Sequence, residues 1–248
     1  MQTHRSLKGA GNISRNWRLK TKEIKRPWKI LWKPVCSSTE TVLSHWLKEI
    51  PLGVFHPRAV VAFRQLRAFG QKGRIWQSPG GGVWMSTAIP CIDNSISLRL
   101  LGLSMALALA LTLEEKSVPV KIKWPNDLLF AERKLAGILP RVAQRGNNLR
   151  FIRFGIGLNV FNTTPPEGIS LQEILGRKII STCPFSADVL IACERAVGFM
   201  ENPDFICKET FKRIWSSYYT DPISNENIEI KGINIDGSML LSDGRIVS

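Results

Sequence analysis

The chain is poor in cysteine and histidine and has no long apolar run, and each shortage argues against a class of protein. Its five cysteines stand apart at positions 36, 91, 183, 193 and 207, with no CxxC pair. An odd, scattered set argues against a disulfide framework and a zinc cluster, and it fits a reducing, cytoplasmic compartment. The longest uncharged apolar stretch, LLGLSMALALALTL, spans only residues 100–113. A membrane crossing needs about 20 such residues, so this run reads as a buried core helix. No GKS or GKT is present, and no glycine triplet opens a helix at the dinucleotide-binding spacing. Acid is scarce as well: the net charge is +14. Residues 1–33 hold ten Lys or Arg against the single acid Glu23, so most of the excess is local. Residues 1–27 therefore read as a basic, disordered arm with few large apolar residues. The arm lacks the apolar run and the acid-free amphipathicity of a transit peptide but comes near that pattern, which leaves targeting open, and it is too short and polar for a helix-turn-helix. A nucleic-acid role would rest on it alone.

What is present is a globular composition. With 248 residues, 44% hydrophobic and 22% charged, the chain can bury one sizeable core and carry a small second domain. Alternating or apolar runs predict strands at 28–35, 59–66, 83–89, 120–124, 134–142 and 149–160. Helices are expected over 40–49, capped by Ser38 or Thr39, and from about 95–97 to 116. Further helices are expected at 170–175, 186–200 and 203–218. The tail breaks at Asp236-Gly237 and Asp243-Gly244, as a small β meander would. The mixture lacks regular alternation, so the class is α+β.

Three loops could carry chemistry. Residues 68–82 combine glycines with Lys72 and Arg74, a setting in which backbone N–H groups and cations can meet an anion. KWPND, residues 123–127, ends a strand at a proline, fixing Lys123 near the rim while Asn126 and Asp127 stiffen the turn. GIGLN, residues 155–159, places Gly155 and Gly157 on one face of a strand, which lets a ligand or another backbone come close. Asn159 could offer its amide to a flat heterocycle. Singly, each has a plain structural reading: a hairpin, a turn and close packing.

Their order is what is specific. Ser37-Ser38-Thr39, Gln65, QKGRIWQSPGGGVWMS (71–86), KWPND, KLAGIL (134–139) and GIGLN occur in one chain. Together they closely resemble the catalytic core of biotin–protein ligases of the monofunctional type, clearly over residues 28–175 and weakly in the tail. The resemblance implies a mixed β-sheet core backed by helices over 28–220. A short, truncated SH3-like β segment would follow over 221–248. It implies that biotin and ATP, with Mg²⁺ held mainly by phosphates, form biotinyl-5′-AMP. Biotin would then pass to one lysine of a carrier domain of acetyl-CoA carboxylase, with neither nucleic acid nor membrane as partner.

By the same resemblance Lys123 and Arg74 are the catalytic cations. Ser38, Thr39, Glu40, Gln65, Phe69, Gly70, Gln71, Lys123 and Gly157 would contact biotin. Lys72, Gly73, Arg74, Trp76, Asn126, Lys134 and Asn159 would serve the nucleotide. The pattern departs in two places. Phe69 stands where the family's loop has an arginine, which predicts weaker retention of the adenylate. The chain stops at Ser248, where relatives continue, which predicts an incomplete β domain. Two other readings stay open: a lipoate or octanoate transferase, suggested by Gly80 to Gly82, and a non-catalytic binder.

Overall fold

The computed structural model describes residues 2–21, 27–51, 56–90, 97–145 and 148–248, with side chains left undescribed at 2–8, 72 and 144–150. A seven-stranded sheet takes the order β1-β2-β3-β7-β6-β5-β4. Its strands are β1 (Lys29–Cys36), β2 (Arg58–Gln65), β3 (Val83–Pro90), β4 (Lys121–Lys123), β5 (Asp127–Phe130), β6 (Arg133–Arg145) and β7 (Asn148–Leu158). Only β1 and β2 run parallel; the other neighbours are antiparallel.

The sheet has two unlike faces because its strands alternate in burial. One face carries Ala59, Val61, Met85, Ile138, Ile152, Phe154 and Ile156 into the main core. Helix α3 (Leu98–Glu114) lies against it, capped by the Ser97 hydroxyl and buried almost all round. The start expected near Ser95 lies outside the described residues. Helices α5 (Cys183–Phe199) and α6 (Pro203–Lys212) cover α3 from the far side, so it is the middle of a three-layer stack. The opposite face is covered at one end by α2 (Thr39–Glu49), over Leu43, Val60 and Ala88. The rest of that face is open. Helix α4 (Leu171–Leu175) follows β7.

The expected disordered arm is corrected by α1 (Gln2–Lys20), which packs on α5 and β1. Ile13 and Trp17 are buried, and a Cβ at Gly9 would lie 2.7 Å from the Trp32 ring. Positions 9, 13 and 17 thus form one helical stripe. The Trp17 indole donates to Glu194 at 2.9 Å, and Lys20 pairs with Asp188 at 2.6 Å. Residues 22–26 of the expected arm lie outside the described residues.

The helix expected to reach residue 218 stops at Lys212. From there the chain runs to the β4 edge, where the Ile122 amide donates to the Arg213 carbonyl at 2.7 Å and the Trp215 amide to the Ile122 carbonyl at 2.9 Å. A four-stranded antiparallel sheet then forms, with the order β11-β10-β9-β8. Its strands are β8 (Tyr218–Thr220), β9 (Asn227–Ile233), β10 (Met239–Leu241) and β11 (Ile246–Val247). Both Asp-Gly turns are present, with φ of 85° at Gly237 and 84° at Gly244. Ile230, Met239 and Leu241 form its core, with Trp124 and Ile214 packed against them. The small sheet agrees with the SH3-like segment expected. No helix among the described residues is long and apolar enough to cross a membrane.

Candidate active site

The open face of the sheet is built from two rows of cross-strand neighbours. Ser86, Gly155 and Leu139 form one row, and Trp84, Gly157 and Gly137 the next. Above them lies a cavity of about 350 Å³, the size of a small-ligand pocket. Glycine leaves no side chain on the floor, and Trp76 uses that space. A Cβ at Gly157 would sit 2.6 Å from its indole, and one at Gly137 2.9 Å. The close-approach reading of GIGLN is therefore right in kind, with an indole as the visitor. The Trp76 Nε1–H is buried and has no hydrogen-bond acceptor among the described residues. A buried donor without a partner costs about 1–3 kcal/mol, so a ligand oxygen or nitrogen there would be stabilised.

One wall is a hydrogen-bonded polar chain. The Gln65 amide oxygen accepts from the Thr39 backbone at 2.7 Å and from its hydroxyl at 3.1 Å. Thr39 Oγ1 and Ser86 Oγ are 2.8 Å apart. Gln65 Nε2 donates to Ser78 at 3.0 Å. Ser38 caps α2 by accepting from the Glu40 amide at 3.2 Å. Donors and acceptors fixed in this way suit a flat, amide-like group. Glu40 lines the cavity too, but its carboxylate is engaged by Arg153 at 2.8 Å.

Opposite this wall stands a cation. Lys134 Nζ lies 2.6 Å from Asp127 and 4.9 Å from the centre of a Trp76 ring. Asn126 fixes the neighbouring turn: its carbonyl accepts from the Ile138 amide at 3.0 Å, and its Nδ2 donates back to the Ile138 carbonyl. The mouth is formed by the loop after β2, with Phe69, Gly70, Gln71 and Arg74 all lining the cavity. Arg141 comes from β6 to stand 5.8 Å from the Phe69 ring centre.

Of the residues expected at the site, Lys123 is placed elsewhere. It sits on β4, the edge strand, two strands outside β6 and so about 10 Å further out. Its ammonium lies 4.9 Å from the centre of the Trp215 ring, and it does not line the cavity. Gly73 forms the tip of a 3₁₀ turn (Gln71–Gly73), also outside the cavity lining; the Lys72 side chain lies outside the described residues. Two loop amides expected to face phosphate are used internally, Gly70 to the Arg74 carbonyl at 2.8 Å and Arg74 to the Gln71 carbonyl at 3.2 Å. Asn159 lines the cavity, but its amide already donates to the Lys134 carbonyl at 3.2 Å and accepts from Asn162 at 3.0 Å. A bidentate use toward a heterocycle would compete with both. The remaining expected residues, Ser38, Thr39, Glu40, Gln65, Phe69, Gly70, Gln71, Arg74, Trp76, Asn126, Lys134 and Gly157, all line the cavity.

Reading by motif missed Ser86, Asp127 and Glu167 as cavity residues. For Ser86 the signal was a polar pair, Ser86-Thr87, in an otherwise apolar strand, of which Ser86 falls on the open face. The triple glycine has a packing cause: a Cβ at Gly80 would lie 2.4 Å from the Phe63 ring, and one at Gly82 2.2 Å from Trp84.

A mixed sheet with one face packed by helices, and a polar wall facing a cation on the other, defines a small-molecule site of the α+β class. Residues 32–159 match the Biotin/lipoate A/B protein ligase family, and the chain belongs to it. It is 30% identical over 201 residues to biotin--protein ligase 2 of Arabidopsis thaliana, covering 77% of this chain and 57% of that protein. To the bifunctional ligase/repressor BirA of Bacillus subtilis it is 32% identical over 190 residues, 71% of this chain and 56% of that protein. The chain thus spans little more than half the length of these two relatives. Among solved structures, the biotin protein ligase of Aquifex aeolicus in complex with biotin and ATP is similar in fold. The TM-score is 0.70 at 24% identity, over 88% of this chain and 95% of that one.

Proposed function

We propose that this chain is a biotin–protein ligase, joining biotin to ATP and passing it to a lysine of a carrier protein. The carboxylate of biotin would attack the α-phosphorus of ATP, and the P–O bond to pyrophosphate would break. The acceptor amine would then attack the acyl carbon, and AMP would leave. The first step brings two anions together. Like charges 4 Å apart repel by about 4 kcal/mol at an effective dielectric of about 20, so a fixed cation is needed between them. The observation that carries this reading is the Lys134 ammonium, held by Asp127 inside the cavity and above the glycine floor. It takes the role that motif reading gave to Lys123.

The polar wall of Thr39, Gln65, Ser38 and Ser86 matches a cyclic urea, which offers N–H donors and one carbonyl. The unpartnered Trp76 N–H and Arg74 at the mouth fit the nucleotide side. ATP enters as its magnesium complex, the ion riding on phosphate oxygens. Among the described residues no group of three His, Cys, Asp or Glu stands together. The carrier domain of acetyl-CoA carboxylase is the acceptor this reading favours, and the scattered free cysteines fit a cytoplasmic setting. No observation favours a lipoate or octanoate transferase, since packing explains the three glycines.

Pyrophosphate exchange into ATP tests the reading. The expected outcome is exchange that depends on biotin and is absent with lipoate. Exchange with lipoate alone, or none with either acid, would overturn it.

A further inference from the structure

The stretch 122–127 faces two ways. Its first half belongs to the junction with the small sheet. Ile122 exchanges backbone hydrogen bonds with the 213–215 segment, and the Trp124 indole donates to the Gly237 carbonyl at 2.9 Å. Its second half belongs to the cavity, where Asn126 is bonded to Ile138 and Asp127 holds Lys134.

We propose that the C-terminal sheet holds the Asp127–Lys134 pair in its working position through Trp124, which makes Trp124 a positioning residue for adenylate formation. The proposal rests on the reading of the cavity given above. The outer anchor is rigid. Gly237 sits in a turn whose added Cβ would lie 2.7 Å from the Leu100 amide at the start of α3. The preceding residue, Asp236, accepts from the Ser97 hydroxyl at 2.6 Å and pairs with Arg99 at 2.9 Å. The small sheet is therefore pinned to the buried central helix. Trp124 packs against both hydrophobic cores and carries that fixed point into the turn. From Trp124 to Asp127 is three residues, with Asn126 bracing the turn on β6. A lost anchor at Trp124 leaves the turn free to shift and carry Asp127 away from Lys134. Such a displacement costs rate because it misplaces a charge that must meet the reacting atoms.

The test uses the full chain and the variants Trp124→Phe, which keeps an aromatic ring and removes the donor, and Asp236→Ala, which loosens the same junction from outside. Hydrogen exchange is read at the Ile138 amide, which donates to Asn126, and at the Met85 amide in mid-sheet. The expected result is about tenfold faster exchange at Ile138 in both variants, with Met85 unchanged. In biotin-dependent pyrophosphate exchange kcat falls roughly five- to twentyfold, while KM for biotin stays within about twofold, because Thr39 and Gln65 lie across the cavity. Unchanged protection at Ile138 overturns the proposal, and so does a biotin KM that rises as steeply as kcat falls. A wild-type chain without exchange activity would sink the functional reading, and Ile138 protection would still decide the coupling.

Discussion

At the scale of single residues, two lysines eleven positions apart compete for one role, and register separates them. Lys123 opens KWPND and Lys134 opens KLAGIL. The antiparallel pairs Lys123↔Asp127 and Leu129↔Lys134 put them two strands apart, so only Lys134 reaches the cavity. Removing a preorganised charge from a site of this kind costs about 10²–10³ in rate. Lys134→Ala is expected to lower biotin-dependent exchange by that much, and Lys123→Ala by less than about tenfold, as a junction residue would. Equal losses would return Lys123 to the site. On the opposite wall, Gln65→Leu leaves Thr39 and Ser78 without their partner. A loss of about 1–3 kcal/mol should appear as weaker biotin binding in calorimetry.

At the scale of elements, what decides the site is which strands lie side by side. The glycines of KLAGIL and GIGLN are 18 or more positions apart in sequence, yet Gly137 and Gly157 are direct partners across β6 and β7. Gly157→Ala would press a methyl into the Trp76 indole. Overpacking of this kind costs about 1–3 kcal/mol, and the change should appear as altered tryptophan fluorescence with loss of ligand binding. The turn at 236–238 yields a pH prediction. Hydrogen bonds from the Ser238 hydroxyl and amide, helped by Arg99, lower the Asp236 carboxyl to about 2. A depressed carboxyl contributes stability above its unfolded value of about 3.9. That contribution is lost as pH falls from there toward 2. Thermal melts of the wild type and Asp236→Ala should therefore differ at neutral pH and converge in that acid window.

At the scale of the molecule, the N-terminal segment is part of the folded body. Its helix packs Ile13 and Trp17 against β1 and α5, and its basic end meets Asp188, which also lies 3.3 Å from Lys116. Trp17→Ala removes a buried indole and its bond to Glu194. The expected cost is about 3–5 kcal/mol, read as a lower melting temperature with the site chemistry intact. A chain whose melting temperature ignores that change has an undocked helix.

Much of this was legible before any tertiary contact was known. Strand alternation, the uncharged run of α3, the two Asp-Gly turns and the ordered motifs are local signals, set by side-chain periodicity and backbone chemistry. Periodicity and turn chemistry set the α+β class and most elements, and the resemblance carried by the motif order added thirteen of the cavity residues. Three things were not local. The stripe of Gly9, Ile13 and Trp17 has too few apolar residues to be read as a helix until a partner surface is present to bury it. Strand β5 followed a Pro-Asn-Asp sequence that reads as a stop, yet pairing with β4 and β6 makes it a hairpin arm. The choice of lysine depended on strand order, because a side chain's reach is fixed by its distance across the sheet rather than along the chain. Sequence alone supplied the groups that can do the chemistry; tertiary structure chose which of them face one another.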